Sequence, residues 1–404
     1  MDAQSARRII ECLRSGVSSR ESASVLTVGR EPLMSKIEGQ LKAVRHGRLS
    51  EHLVVEGAYG QGKTHILNKI EALALGQNFA VSRLVASRES PLGKVNTFYQ
   101  RLVCNLVLPD RPNDRGVKVL LDKVRVNRRS GYDAWMTWVQ RQGYQRLENL
   151  LQSFYEVGTD DPEPFYEEME GTPVPATYLK HSLKIPVGTP RLLQSDYWGY
   201  LRAVSDAIHR FGYDGWVILI DEAELVQGLG LVQRVKAYET LARLWGLVPG
   251  QELPQSYVAL SFARSFYTFM LERNEGGRVE QSLRGKGLDQ QWEIVSTILD
   301  RLEDEREELD YLSEGDYQRL LDEVTRIYRV AYGHETPVDR ERLLRQATGE
   351  ALPIRTLVRS AIQYLDIALQ YPGEDPLALI DVGKPDEGAA IVESEFDGGT
   401  AAGT

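Results

Sequence analysis

Hydrophobic positions along the chain follow two rhythms: short unbroken runs rich in β-branched residues, and longer stretches with apolar residues three or four apart. Together they predict buried strands alternating with amphipathic helices. Leu53-Val54-Val55, Phe79 to Val85, Trp216-Val217-Ile218-Leu219-Ile220 and Tyr257 to Phe262 read as strands, the run from Trp216 being the most strand-like. Helical spacing marks Ile9, Ile10 and Leu13 in a preamble over residues 1 to about 28 that ends in a Ser-rich stretch. It recurs at Leu33, Ile37, Leu41 and Val44, at Ile66, Leu67, Ile70, Leu73 and Ala74, from Thr97 to Leu108 (Phe98, Leu102, Leu106), at Leu201, Val204 and Ile208, and around Ala237 to Trp245. Beyond about residue 288 the pattern is almost wholly helical, with the charged run Asp300 to Asp310 read as an exposed helix face. No further core strand stands out between Phe266 and Leu288.

This organisation predicts an N-terminal helical segment over residues 1–50, an α/β core over 51–287, a helical lid or accessory domain over 288–384 and a disordered acidic tail over 385–404. Within the core, about 109–195 reads as an insertion, partly helical and partly loop. A basic stretch leads into an acidic one broken by Pro162, Pro164, Pro173, Pro175, Pro186 and Pro190.

Between the first strand and the helix that follows it lies Gly57-Ala58-Tyr59-Gly60-Gln61-Gly62-Lys63-Thr64, which matches the phosphate-loop pattern G-x-x-x-x-G-K-[ST] in the required order of strand, loop and helix. Gly57, Gly60 and Gly62 allow a tight turn whose successive N–H groups point at phosphate oxygens, reinforced by the positive end of the helix dipole. Lys63 is the expected partner of the β- and γ-phosphates and Thr64 of Mg²⁺, with His65 beside them in the first turn. The second half of such a site is Asp221-Glu222, delivered by the apolar run from Trp216. Asp221 is expected to hold the Mg²⁺ water shell with Thr64, and Glu222 to polarise the attacking water, the step that separates hydrolysis from binding. The long separation of Lys63 from Asp221 exceeds one strand-helix-strand passage, and the insertion accounts for the excess.

Four further polar positions are candidates. Tyr257 to Arg264 resembles the strand that sits between the two motif strands in additional-strand ATPases, which makes Ser261 and Arg264 candidate sensors; an ordinary strand end with a surface arginine explains them equally. Arg273 is a candidate finger toward a neighbouring subunit. A helix starting after Pro353 places Arg355 in its first turn, where it is either a nucleotide sensor or a surface arginine.

Composition narrows the class. The chain has 404 residues, 42% hydrophobic and 26% charged, enough for a nucleotide domain plus smaller units. No apolar run approaches the ~20 residues that cross a bilayer, and the N-terminus lacks the apolar core of a signal peptide, so a cytoplasmic protein is expected. Two cysteines, Cys12 and Cys104, exclude a disulfide framework, and the six histidines show no ligand spacing, so no metal beyond Mg²⁺ is expected. A net charge of −10 argues against a surface dominated by nucleic-acid phosphates. One local basic patch, Arg111 to Arg129, remains a candidate for DNA or a solvated face.

Val28-Gly29-Arg30-Glu31, GAYGQGKTH, SPLGKVNTFYQRL and GYDGWVILIDEAE, in that order, resemble the ATP-binding proteins of bacterial BREX-type phage-defence systems, whose relatives also occur in the Shango system beside a TerB-like protein and a helicase. The resemblance spans roughly residues 3 to 370. It implies an α/β, AAA+-like P-loop NTPase with a parallel sheet core and a helical lid, of the branch related to origin-recognition and STAND proteins, using ATP and Mg²⁺. It also implies that Val28, Gly29 and Arg30 lie by the adenine and that Arg355 couples nucleotide state to lid angle. The partners it implies are other defence-system proteins (a helicase, a TerB-like protein or a methyltransferase complex), with double-stranded DNA and a second copy of the chain as further candidates.

Two other readings stay open. Asp221-Glu222-Ala223-Glu224 spells a DEAx-type helicase box, but the nearest arginine-motif candidate, Gln346-Ala347-Thr348-Gly349-Glu350, ends in glutamate. A nucleotide-gated scaffold with little hydrolysis fits the acidic surface, whereas Glu222 favours turnover.

Overall fold

The computed structural model describes residues 1–87, 92–126, 131–157, 161–333, 339, 341–343, 345 and 353–380. The expected tail from 385 and the Gln346–Glu350 segment lie outside these.

Six strands form one mostly parallel sheet in the order β3-β2-β4-β5-β1-β6, where β1 is Ser50–Gly57, β2 Ala80–Val85, β3 Leu106–Val107, β4 Trp216–Asp221, β5 Ser256–Ala263 and β6 Arg306–Glu308. Parallel pairing sets Val81 opposite Val217 and Leu84 opposite Ile220, and on the other side of β4 sets Val217 opposite Tyr257 and Ile220 opposite Leu260. Every residue of β4 is buried, as expected of a strand covered on both faces, and each such Val, Leu or Ile contributes roughly 1.5–3 kcal/mol. The four strands expected from apolar runs are present, and β5 lies between β1 and β4 in the sheet order.

By its contacts the chain divides into two compact units. One comprises the described residues of Met1–Ser35, Val55–Ala72 and Glu307–Thr404. Its core joins Ile9, Ile10 and Leu13 of α1 (Ala3–Arg14) to Leu320 and Val324 of the helix Glu314–Tyr332 and to Leu357 and Leu365 of the helix Ile354–Gln370. The other comprises Lys36–Val54 and Leu73–Arg306. In it the segment 109–195 is built mainly of helices, and Leu120, Trp135, Leu147 and Phe165 share one apolar cluster with Ile218 and Leu260 of the sheet.

Within the helical preamble the Ser-rich stretch forms α2 (Arg20–Leu26), where Ser19 and Ser22 cap each other's backbone N–H groups. Several other local expectations are corrected. After α3 (Glu31–Arg45) and α4 (Lys63–Gly76), the helix expected to run to Leu108 is α5 (Val95–Cys104). Both the backbone N–H and the side-chain amide of Asn105 close on the Arg101 carbonyl, and Leu106–Val107 pairs antiparallel with β2. The charged run Asp300 to Asp310 is not one helix face: a helix ends at Asp304 and β6 follows. A further strand beyond the four expected is β6 at the sheet edge, whereas the stretch Phe266 to Leu288 carries the helices Arg264–Glu272 and Glu275–Arg284.

Candidate functional site

The first unit holds the phosphate-loop motif. β1 ends at Gly57, Gly60 and Gly62 take left-handed φ of 77° and 99°, and α4 starts at Lys63, its first turn closed by the Ile66 N–H on the Gly62 carbonyl at 2.9 Å. Thr64 therefore lies in the first helical turn. The Lys63 ammonium donates to the Gly57 carbonyl (2.8 Å) and the Ala58 carbonyl (3.2 Å), neutral acceptors that an anionic phosphate outcompetes. The Ala58 N–H donates to Oε1 of the buried Gln61 at 2.6 Å. Left-handed glycines, a lysine at the start of the helix and a helix N-terminus together fit a polyphosphate.

Two more groups expected at this half are tied to their own surroundings. His65 gives Nδ1 to Ser18 Oγ and Nε2 to Thr27 Oγ1, both at 3.0 Å, so both ring nitrogens are engaged within the chain. Burial, with Lys69 and Arg30 adding positive charge, pushes its pKa down to about 4. Val28, Gly29 and Arg30 form the connection from α2 to α3. Gly29 is left-handed, and a Cβ there would fall 2.7 Å from the Asp316 carboxyl. Arg30 donates to the Asp310 carbonyl at 2.6 Å, and burial lowers its pKa.

Arg355 begins the helix Ile354–Gln370 after Pro353, as expected. Its N–H donates to the Gly60 carbonyl at 3.2 Å, and Nη1 donates to the Tyr59 hydroxyl at 2.6 Å. Sequence reasoning placed Arg355 in a first turn but gave no sign that the partner would be the tip of the loop.

The second unit holds the acidic pair. Asp221, 4% exposed at the end of β4, accepts at Oδ1 from the fully buried Ser261 hydroxyl on β5 (2.5 Å) and at Oδ2 from Arg83 on β2 (2.8 Å). Glu222 is exposed and left-handed (φ 57°, ψ 38°), and its N–H donates to Ser261 Oγ at 3.1 Å and Asp221 Oδ1 at 3.2 Å. A non-glycine residue in this conformation is held at a cost of about 1–3 kcal/mol, and such strain concentrates at functional sites. Arg83 was missed from sequence. Its one signal is a cation in the middle of a mostly buried strand. Arg264, exposed, starts the helix that follows β5, and Arg273, exposed, caps that helix.

In the basic stretch, Lys118 pairs with Glu163 at 2.9 Å and Lys123 with Asp110 at 3.2 Å, and Arg125 lies 5.4 Å from the Phe154 ring centre, so part of its charge is spent locally. Cys12 and Cys104 are both free thiols, and burial raises the pKa of Cys104. No helix among the described residues is long and apolar enough to cross a membrane.

No curated protein matches the chain. Among solved structures, the Orc1 protein of Aeropyrum pernix in complex with DNA aligns at 11% identity with a TM-score of 0.35, over 92% of this chain and 66% of that one. The family model "BREX system ATP-binding protein BrxC/D" matches residues 1–129 and 169–383, and the unmatched stretch falls inside the segment 109–195. The chain belongs to the BREX system ATP-binding protein family, BrxC/D.

Proposed function

We propose that the chain is an AAA+-like ATPase that acts as an energy-coupling motor or nucleotide-dependent switch on partner proteins of a phage-defence system. The observation that carries this reading is the loop between β1 and α4, where two left-handed glycines lead into a helix whose first turn carries Lys63 and Thr64. The sheet order, with β5 between β1 and β4, supports the AAA+ branch over a simpler P-loop fold.

In this reading Gly57, Gly60, Gly62 and Lys63 bind the phosphates of ATP, and Thr64 and Asp221 hold Mg²⁺. Bound Mg²⁺ neutralises phosphate charge. Glu222, exposed beside the buried Asp221, orients water and accepts its proton at the carboxylate. Ser261 orients the acidic pair through its hydroxyl, and Arg264 and Arg355 respond to the terminal phosphate. Val28, Gly29 and Arg30 serve the adenine side, and His65 supports Thr64 from within the first turn of α4. Partner proteins and DNA are the candidate recipients of the resulting change, and a second copy of the chain is the candidate source of a groove for Arg273.

The test is a pair of variants in the full chain. Lys63→Ala should abolish ATP binding, whereas Glu222→Gln should retain ATP and stop turnover. Equal ATP affinity in wild type and Lys63→Ala refutes the site. Turnover with and without double-stranded DNA, and mass in the presence of ATP, separate motor from switch.

A further inference from the structure

Tyr59 lies at the tip of the phosphate loop and is 39% exposed, yet another side chain rests on its ring. What rests on it is Arg355. The guanidinium carbon lies 4.8 Å from the Tyr59 ring centre, within cation–π range, and Nη1 donates to the phenol oxygen at 2.6 Å. The backbone fixes the same meeting independently through the Arg355 N–H on the Gly60 carbonyl. Gly60 cannot carry a side chain here, since its Cβ would fall 2.7 Å from Pro353 Cβ. On another side, a Cβ on the left-handed Gly16 would meet Arg355 Cδ at 3.4 Å and Arg359 Cδ at 3.2 Å. The aliphatic stem of Arg355 is thus fixed by close packing and its head by an aromatic ring.

Arginine loses more rotamer freedom on being ordered than almost any other side chain, and a cation fixed in advance binds an anion without that loss. The ring takes one face of the guanidinium and the phenol takes one donor. Of the five N–H donors that the group carries, the others have no partner among the described residues, and they remain for a planar, multidentate contact with phosphate. We infer that Tyr59 is a positioning residue that holds Arg355, by its face and one donor, for the terminal phosphate of ATP. The inference rests on the proposed ATP site, and adds to it the residue that orients the arginine and thereby sets preference for triphosphate over diphosphate.

A double-mutant cycle on Tyr59 and Arg355, reading ATP and ADP affinity of the full chain by calorimetry, tests it. Tyr59→Ala should weaken ATP about fivefold and ADP less than about twofold, as expected for loss of one oriented cationic contact. Tyr59→Phe keeps the ring and loses only the phenol, so it should fall between Tyr59→Ala and wild type. In an Arg355→Ala background, Tyr59→Ala should change neither affinity further. An equal loss with and without Arg355, or the same loss for ATP and ADP, overturns the positioning role while Lys63→Ala still separates binding from no binding. If wild type and Lys63→Ala bind ATP alike, the site itself is wrong and the positioning role falls with it. Thermal melting of each variant checks that exposed Tyr59 is not needed for folding.

Discussion

His65 makes the sharpest stability prediction. Thr27 Oγ1 already donates to the Ala23 carbonyl at 2.7 Å, so it can only accept from Nε2–H. The Ser18 hydroxyl then donates to Nδ1, and the ring is a neutral Nε2–H tautomer. Protonation would give the ring a second N–H to place and a charge to bury beside Lys69 and Arg30, which is why its pKa falls from 6.5 to about 4. A histidine whose folded value lies below its unfolded value stabilises the fold fully above the unfolded value, and that contribution drains as pH falls toward the folded one. At 1.36 kcal/mol per unit, the loss between pH 7 and pH 5 from this one group is about 2 kcal/mol. Chemical denaturation of wild type and His65→Asn at both pH values isolates it, since the carboxylates contribute alike to both proteins. Wild type should lose about 2 kcal/mol more than the variant on acidification. Equal losses would show that the ring is not held neutral by its surroundings.

Two further outcomes follow from buried contacts in the larger unit. Ser261→Ala removes one buried hydrogen bond to Asp221 Oδ1 and one from the Glu222 N–H, so stability should drop by about 1–3 kcal/mol and ATP turnover should fall with it, read by melting and phosphate release. Full turnover in a folded Ser261→Ala protein would dismiss the hydroxyl as an organiser of Glu222. Arg234 and the fully buried Glu275 form a two-bond ion pair at 2.6 and 2.9 Å, and Arg234 also holds the Leu229 carbonyl at 2.6 Å. Arg234→Met should therefore cost about 3–5 kcal/mol, most of it recovered on adding Glu275→Leu, as denaturant titration of both variants would reveal.

What the sequence made legible was what apolar pattern and glycine placement encode locally. β1, β4 and β5 each carry an unbroken run of apolar residues, and the loop before α4 repeats a glycine-rich motif that ends in a tight turn. β6 was hidden because Arg306-Glu307-Glu308 is an edge strand with no buried face to impose alternation, its charges being what guards such an edge. The early end of α5 turned on Asn105, whose side chain competes for a backbone carbonyl and carries no hydrophobic signal. α2 was hidden among serines because its cap is a mutual pair of hydroxyls rather than an apolar stripe. In the candidate site, Asp221 and Glu222 were readable from the strand that carries them. Their contacts were not: Ser261 was a candidate from sequence and Arg83 was not, but both meet Asp221 only through sheet register, and the partners of His65 and Arg355 lie tens to hundreds of residues away.

The unit that carries the phosphate loop is assembled from three separate stretches of chain, and Arg7 on its first helix reaches a carbonyl 324 positions later, that of Ala331. During synthesis, α1 must wait for most of the polypeptide to leave the ribosome before its apolar face finds cover, and contacts of such long range are closed late because they reward chain entropy last. The loop therefore gains its Arg355 neighbour only once the helix Ile354–Gln370 has been made. A nascent or truncated chain lacking that helix would lack part of the setting of the loop, so the loop's surroundings are finished only when that late stretch of chain has been made.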